Sequence, residues 1–201
     1  MFRRPHLSRA ARGEIARRMT QGVAVETERL ILRAPVAADR PVLHAMWADP
    51  QVMATLGPVK SAADSDATIE RHRGYGRVGL GFWVVERRDT GEAIGFCGLK
   101  PGAEDTPIAG EVEIGWLIAR DHWRQGFARE ASAATLDWAW ANTDAPRVVA
   151  ITAARNLPSQ ALMSELGMQR LHDLDFIHPA HARNPALRET VVFAIDRPDA
   201  S

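Results

Sequence analysis

The sequence predicts an α+β fold: a mixed, mostly antiparallel sheet of six to seven strands flanked by about four helices. Three observations lead there. Short apolar strand-like segments follow one another up to residue 118. The apolar period lengthens to that of a helix just after residue 126. From there to the end, helices and single strands alternate, so a meander is followed by strand–helix–strand units.

Each element has its own local reason. Arg29 to Arg33 (RLILR) alternates as a strand does, and residues 37 to 48 are helix-like, with Asp39 as candidate cap and Val42, Leu43, Met46 and Trp47 on one face. A polar helix over residues 64 to 73 ends in the glycine-rich segment Gly74 to Gly81. Phe82 to Glu86, Ala93 to Leu99 and Glu111 to Ile118 form the meander, with Asp89, Thr90 and Gly91 turning between the first two. Phe127, Ala131, Ala134, Trp138 and Ala141 share one face of a helix that Pro146 ends. Val148 to Thr152 reads as a buried strand, Pro158 to Leu166 as a short helix closed by Gly167, and Thr190 to Ile195 as the last strand.

A chain of 201 residues, 46% hydrophobic, suits one domain, expected over residues 23 to 197. Residues 1 to 22 carry a net +5 and read as a basic extension, partly helical or disordered; the remainder carries −5. That balance argues against a nucleic-acid-binding body and suits either a cationic amine partner or plain solubility. With no apolar run of about 18 residues and no secretory h-region, a cytoplasmic location without membrane partners is expected. The single Cys97 lies in an apolar run and reads as a buried thiol, not a nucleophile. His178 and His181 flank Pro179 without an obvious third ligand, so no metal is expected.

The chemistry concentrates between a strand and an amphipathic helix, in Trp123, Arg124, Gln125, Gly126, Phe127 and Ala128. A helix start leaves backbone N–H groups unpaired and adds partial positive charge, so a diphosphate can bind there without a lysine. Gly126 admits close approach, Ala128 keeps the turn clear, and Arg124 adds charge. Thirty residues on comes Asn156, Leu157, Pro158, Ser159, Gln160, in which Asn156 is a good N-cap and Pro158 a good first-turn residue whether or not a ligand binds.

These two motifs, ordered on consecutive strand–helix units, resemble the GNAT superfamily of acetyltransferases over residues 27 to 196. That family's phosphate turn reads Gln/Arg-x-x-Gly-x-Gly/Ala; Gly126 and Ala128 match it, while Trp123 stands at the Gln/Arg position, as in the branch resembling ribosomal-protein N-terminal acetyltransferases (RimJ/RimL-like). The resemblance implies acetyl-CoA as co-substrate and a V-shaped opening between the fourth and fifth predicted strands. It implies pantetheine contacts at Trp116, Leu117, Ile118 and Asn156, and Ser159 beside the sulfur. The tyrosine that many members use as acid is replaced by Met163, which leaves Ser159 as substitute; a helix-start serine bonding its own backbone reads equally well. Glu113, in a Glu-Ile-Gly-aromatic run like that of the branch, is the chosen base, with His178 and Asp173 as runners-up. The acceptor is a protein N-terminus, an amino acid, a polyamine or an aminoglycoside, shaped by residues 47 to 60 and 173 to 184, and the enzyme is a monomer or homodimer. A non-catalytic acyl-CoA sensor is the alternative; a dinucleotide enzyme ranks third, for want of Gly-x-Gly-x-x-Gly spacing.

Overall fold

The sheet runs in the order β1-β2-β3-β4-β5-β6-β9-β7, and β8 also pairs with β9. In this computed structural model, which describes residues 22–199, the strands are β1 (Val23–Glu26), β2 (Leu30–Arg33), β3 (Phe82–Arg87), β4 (Ala93–Pro101), β5 (Val112–Ile118), β6 (Arg147–Ala153), β7 (Gln169–Arg170), β8 (Phe176–Ile177) and β9 (Glu189–Asp196). Nine strands replace the expected six to seven. The additions are the four-residue β1 and the two-residue β7 and β8, too short to carry a periodic signal. Apart from Gly22, the expected basic extension lies outside the described residues.

Strand alternation sorts the core into two layers. Phe82 and Val84 of β3 face α1 (Arg40–Ala48), α2 (Pro50–Met53) and α3 (Ala62–Gly74), packing with Leu43, Trp47, Ile69 and Phe96. Trp83 and Val85 take the other face, where Ile118, Phe127 and Ala131 bring in α4 (Phe127–Asn142). Further along that face, Leu136 and Ala139 of α4 meet Met163 of α5 (Leu157–Glu165) over Ile114, Val148 and Ala150.

Two local expectations are corrected. The buried face of α4 is Phe127, Ala131, Ser132, Thr135, Leu136 and Ala139, so Ala134 and Trp138 are only half-buried and Ala141 is exposed. The apolar stripe misleads because the buried Thr135 hydroxyl is satisfied within the helix, donating to Ala131 O at 2.8 Å. Asp39 begins α1 without capping it; its carboxylate takes both Arg33 Nη atoms at 2.8 Å and the Val36 N–H at 2.7 Å.

All strand pairs are antiparallel except β5 with β6. That parallel pair has only two rungs, Val112 with Val148 and Glu113 with Val149. β6 meanwhile pairs with β9 along its whole length, and β5 with β4 likewise. Beyond Glu113 the two halves of the sheet part. This is the opening expected between the fourth and fifth strands, now fifth and sixth because β1 precedes them.

Candidate active site

Where β5 and β6 part lies a cavity of about 470 Å³ lined from both faces of the sheet. Its walls are Gly115, Trp116 and Leu117 of β5 and Ile151, Thr152 and Ala153 of β6. On the α4/α5 side, Ser159 and Met163 reach it; on the α1/α3 side, Trp47, Lys60, Arg71 and His72 do. Both segments expected to shape the acceptor contribute, one through Trp47, residues 53 and 55 to 58, and Lys60, the other through His178, Ala180 and His181.

The predicted phosphate turn lies at the start of α4, outside the residues that line the cavity. Gly126 has φ +81°, a left-handed conformation that costs a glycine nothing and places the chain for entry into α4. Arg124 also lies there at φ 60°, an uncommon place for an arginine. The first N–H to bond back along α4 is that of Glu130, to Gly126 O at 3.0 Å; the preceding turn of N–H groups points outward, beside exposed Arg124, Gln125 and Gly126. Phe127 offers only its backbone, since its ring is buried under Arg29, whose guanidinium lies 4.6 Å from the ring centre. Arg29 also bonds Gln125 O at 3.0 Å and Glu130 Oε2 at 2.6 Å, tying the residue just before β2 to the turn. Trp123, at the family's Gln/Arg position, donates its Nε1–H to Ile118 O at 2.7 Å and so binds the turn to the end of β5. Unpaired N–H groups, an exposed glycine and a strand edge without a β6 partner fit a diphosphate followed by an amide-bearing arm.

Asn156 is 6% exposed and fully engaged: Nδ2 donates to Thr152 Oγ1 at 2.9 Å and Ser159 Oγ at 3.0 Å, while Oδ1 accepts the Ser159 N–H at 3.4 Å. Asn156 therefore caps α5 and stands behind Ser159, outside the cavity wall. Because Ser159 Oγ accepts from Asn156, its own proton is free to point into the cavity. Met163, 2% exposed, gives the same wall an apolar floor.

Glu113 is 5% exposed, lines the cavity and is ion-paired with the Lys100 ammonium. Burial pushes its carboxyl up, against the pull of Lys100. Glu111 pairs instead with Arg147 and does not line the cavity. Asp173 lies exposed in a turn away from the cavity, whereas His178 reaches it 4.9 Å from the ring of His181. Burial lowers His178, helped by His181 and Lys100. His72 is lowered to about 4 by burial, packed against Phe82 at 4.5 Å with Nδ1 2.7 Å from Thr68 O. Lys60, Arg71, His72 and Lys100 were not singled out from sequence. Only Lys100 had a legible signal, sitting directly opposite Glu113 in the β4–β5 register. Among the described residues no cluster of three or more His, Cys, Asp or Glu is arranged to hold a metal, and no helix is long and apolar enough to cross a membrane.

Comparison with known proteins agrees with this geometry. The N-acetyltransferase p20 of Bacillus licheniformis is 31% identical over 149 residues, covering 72% of this chain and 81% of its own. An acetyltransferase structure from Agrobacterium tumefaciens superposes with TM-score 0.70 at 27% identity, over 85% of this chain and 92% of the other. The fold is shared by RimL, a ribosomal L7/L12 α-N-protein acetyltransferase in complex with coenzyme A (TM-score 0.70, 16% identity, 87% and 97% covered). It is shared too by spermidine N-acetyltransferase from Vibrio cholerae in complex with coenzyme A and spermine (TM-score 0.68, 19% identity, 85% and 97% covered). The model of the acetyltransferase (GNAT) domain matches residues 29–169, and the chain belongs to the GNAT acetyltransferase family.

Proposed function

We propose that the protein acetylates a primary amine by direct attack on acetyl-CoA while both are bound, as a member of the RimJ/RimL-like branch. The observation that carries this is the cavity where the sheet parts, with Glu113 and Ser159 on its wall, beside the edge of β5 to which Trp123 ties the turn before α4. Acetyl-CoA supplies the activated thioester. Exposed N–H groups of Gly126 to Ala128, with Arg124 and Gln125 beside them, hold its diphosphate; the free edge of β5 at Trp116, Leu117 and Ile118 aligns the pantetheine. Backbone N–H on that edge stabilises the charge developing on the thioester oxygen. Glu113, ionised beside Lys100 yet raised by burial, receives the amine's proton. Ser159 donates its free hydroxyl proton toward the departing sulfur, a role the buried Met163 cannot fill.

The replacement of the family's tyrosine by Met163 favours one second reading, a sensor that binds acyl-CoA without turnover. A thiol-release screen over peptides, amino acids, polyamines and aminoglycosides separates the two: acetyl-CoA raising the melting temperature with no thiol released from any amine leaves only the sensor. An unchanged melting temperature with excess acetyl-CoA defeats both.

A further inference from the structure

The acceptor side of the cavity is cationic. Lys60 and Arg71 line it from the α1/α3 face with Lys100, while His72, His178 and His181 at the same end add ring nitrogens and no acid. Glu113 is the only acid on the wall, and Lys100 neutralises it.

Lys60 and Arg71 are the informative pair. Among the described residues neither has a salt bridge or a side-chain hydrogen bond, although α3 is rich in acids. Those acids are committed elsewhere: Asp64 accepts from Ser61 at the start of α3, while Asp66 and Glu70 pair with Arg40. Lys60 is fixed by its backbone, its N–H donating to Trp47 O at 2.9 Å. Its ammonium is lowered first by burial and then by Arg71, and the charge of Asp64, whose carboxylate bonds Ser61, offsets this only in part. His72, held neutral, registers the same field from Arg71, Lys100 and Lys60.

Two cations without a salt bridge among the described residues, at the end opposite the proposed thioester side, disfavour a polycation and leave room for one anionic group. Resting on the acetyl-transfer reading above, we infer that the acceptor is an amine bearing a carboxylate, which Lys60 and Arg71 hold while the amine points inward to Glu113. A free amino acid and a peptide with an acidic residue near its N-terminus share that chemistry.

The test compares kcat/KM for amines differing only in the carboxylate: alanine with ethylamine, phenylalanine with phenethylamine, lysine with cadaverine. A peptide with an acidic second residue, set against its amide counterpart, separates the two sources; spermidine, kanamycin and O-phosphoethanolamine complete the panel. The carboxylate member should lead by about tenfold or more, Arg71→Gln and Lys60→Gln should each erase most of that lead, and Arg71→Lys should retain it. Equal or better turnover of decarboxylated, polycationic or phosphate-bearing amines overturns the inference, as does a lead that persists in both Gln variants. If no amine turns over, the acetyl-transfer reading fails separately, and calorimetric binding of N-acetylphenylalanine against N-acetylphenethylamine decides this one. Tighter binding of the acid, lost in Arg71→Gln, supports it; equal binding ends it.

Discussion

The two mouths of the cavity are built in opposite ways. On the α4/α5 side the buried Asn156 is satisfied by Thr152 and Ser159 and the Trp123 indole by Ile118, all neighbours close in sequence. On the α1/α3 side the titratable side chains come from segments more than a hundred residues apart, from Lys60 to His178 and His181, and Lys60 and Arg71 lack a salt bridge among the described residues. A mouth finished before its ligand arrives suits a constant ligand; one left with unbalanced charge takes its complement from the ligand.

The comparison breaks most readily at the finished mouth. Gly126→Val forces a branched residue to φ +81° and meets Arg29 Nη2, 3.3 Å from where a Cβ would sit. It should abolish the thermal stabilisation by acetyl-CoA and cut kcat/KM by about 100-fold or more. Retained stabilisation would place the diphosphate elsewhere. Glu113→Gln comes next, with kcat expected to fall about 100-fold while acetyl-CoA still stabilises the protein. A Lys100→Met, Glu113→Gln double variant should remain as inactive as Glu113→Gln, since removing the ion pair does not restore a base. Ser159→Ala should lower kcat by about tenfold with acetyl-CoA affinity little changed; wild-type kcat would return Ser159 to a structural role.

The smallest effect at neutral pH belongs to His72, on the open side. Its folded pKa of about 4 lies below its ordinary 6.5, so the unfolded chain binds the proton first as the pH falls. Its contribution is full above pH 6.5 and declines from there to about pH 4, a loss of about 3 kcal/mol. His72→Phe should flatten that part of a stability–pH curve measured by denaturant melts; an unaltered slope assigns it to another group.

Legibility followed the same division. Gly126, Ala128, Asn156 and Ser159 could be read because a helix start is encoded within a few consecutive residues. Of the two readings of Asn156, the cap is the one visible here: its carboxamide starts α5 and leaves Ser159's proton free. Nothing local marks Lys60 or Arg71, because their meaning lies in carboxylates that pair elsewhere, visible only once α3 is folded. The same limit hid the true inner face of α4, where Ser132 and Thr135 displaced the alanines that the pattern favoured. β1, β7 and β8 escaped because pairing, not periodicity, makes them strands.

The two rungs joining β5 to β6 make the sheet a pair of stiff leaves on a short spine. Val148 and Val149, both fully buried, form one side of that spine and touch neither mouth. A change of side-chain volume there is expected to alter the angle at which the leaves stand open, and with it the width of the cavity between Gly115 to Leu117 and Ile151 to Ala153. Two valines that line no part of the cavity thus govern its shape in this fold.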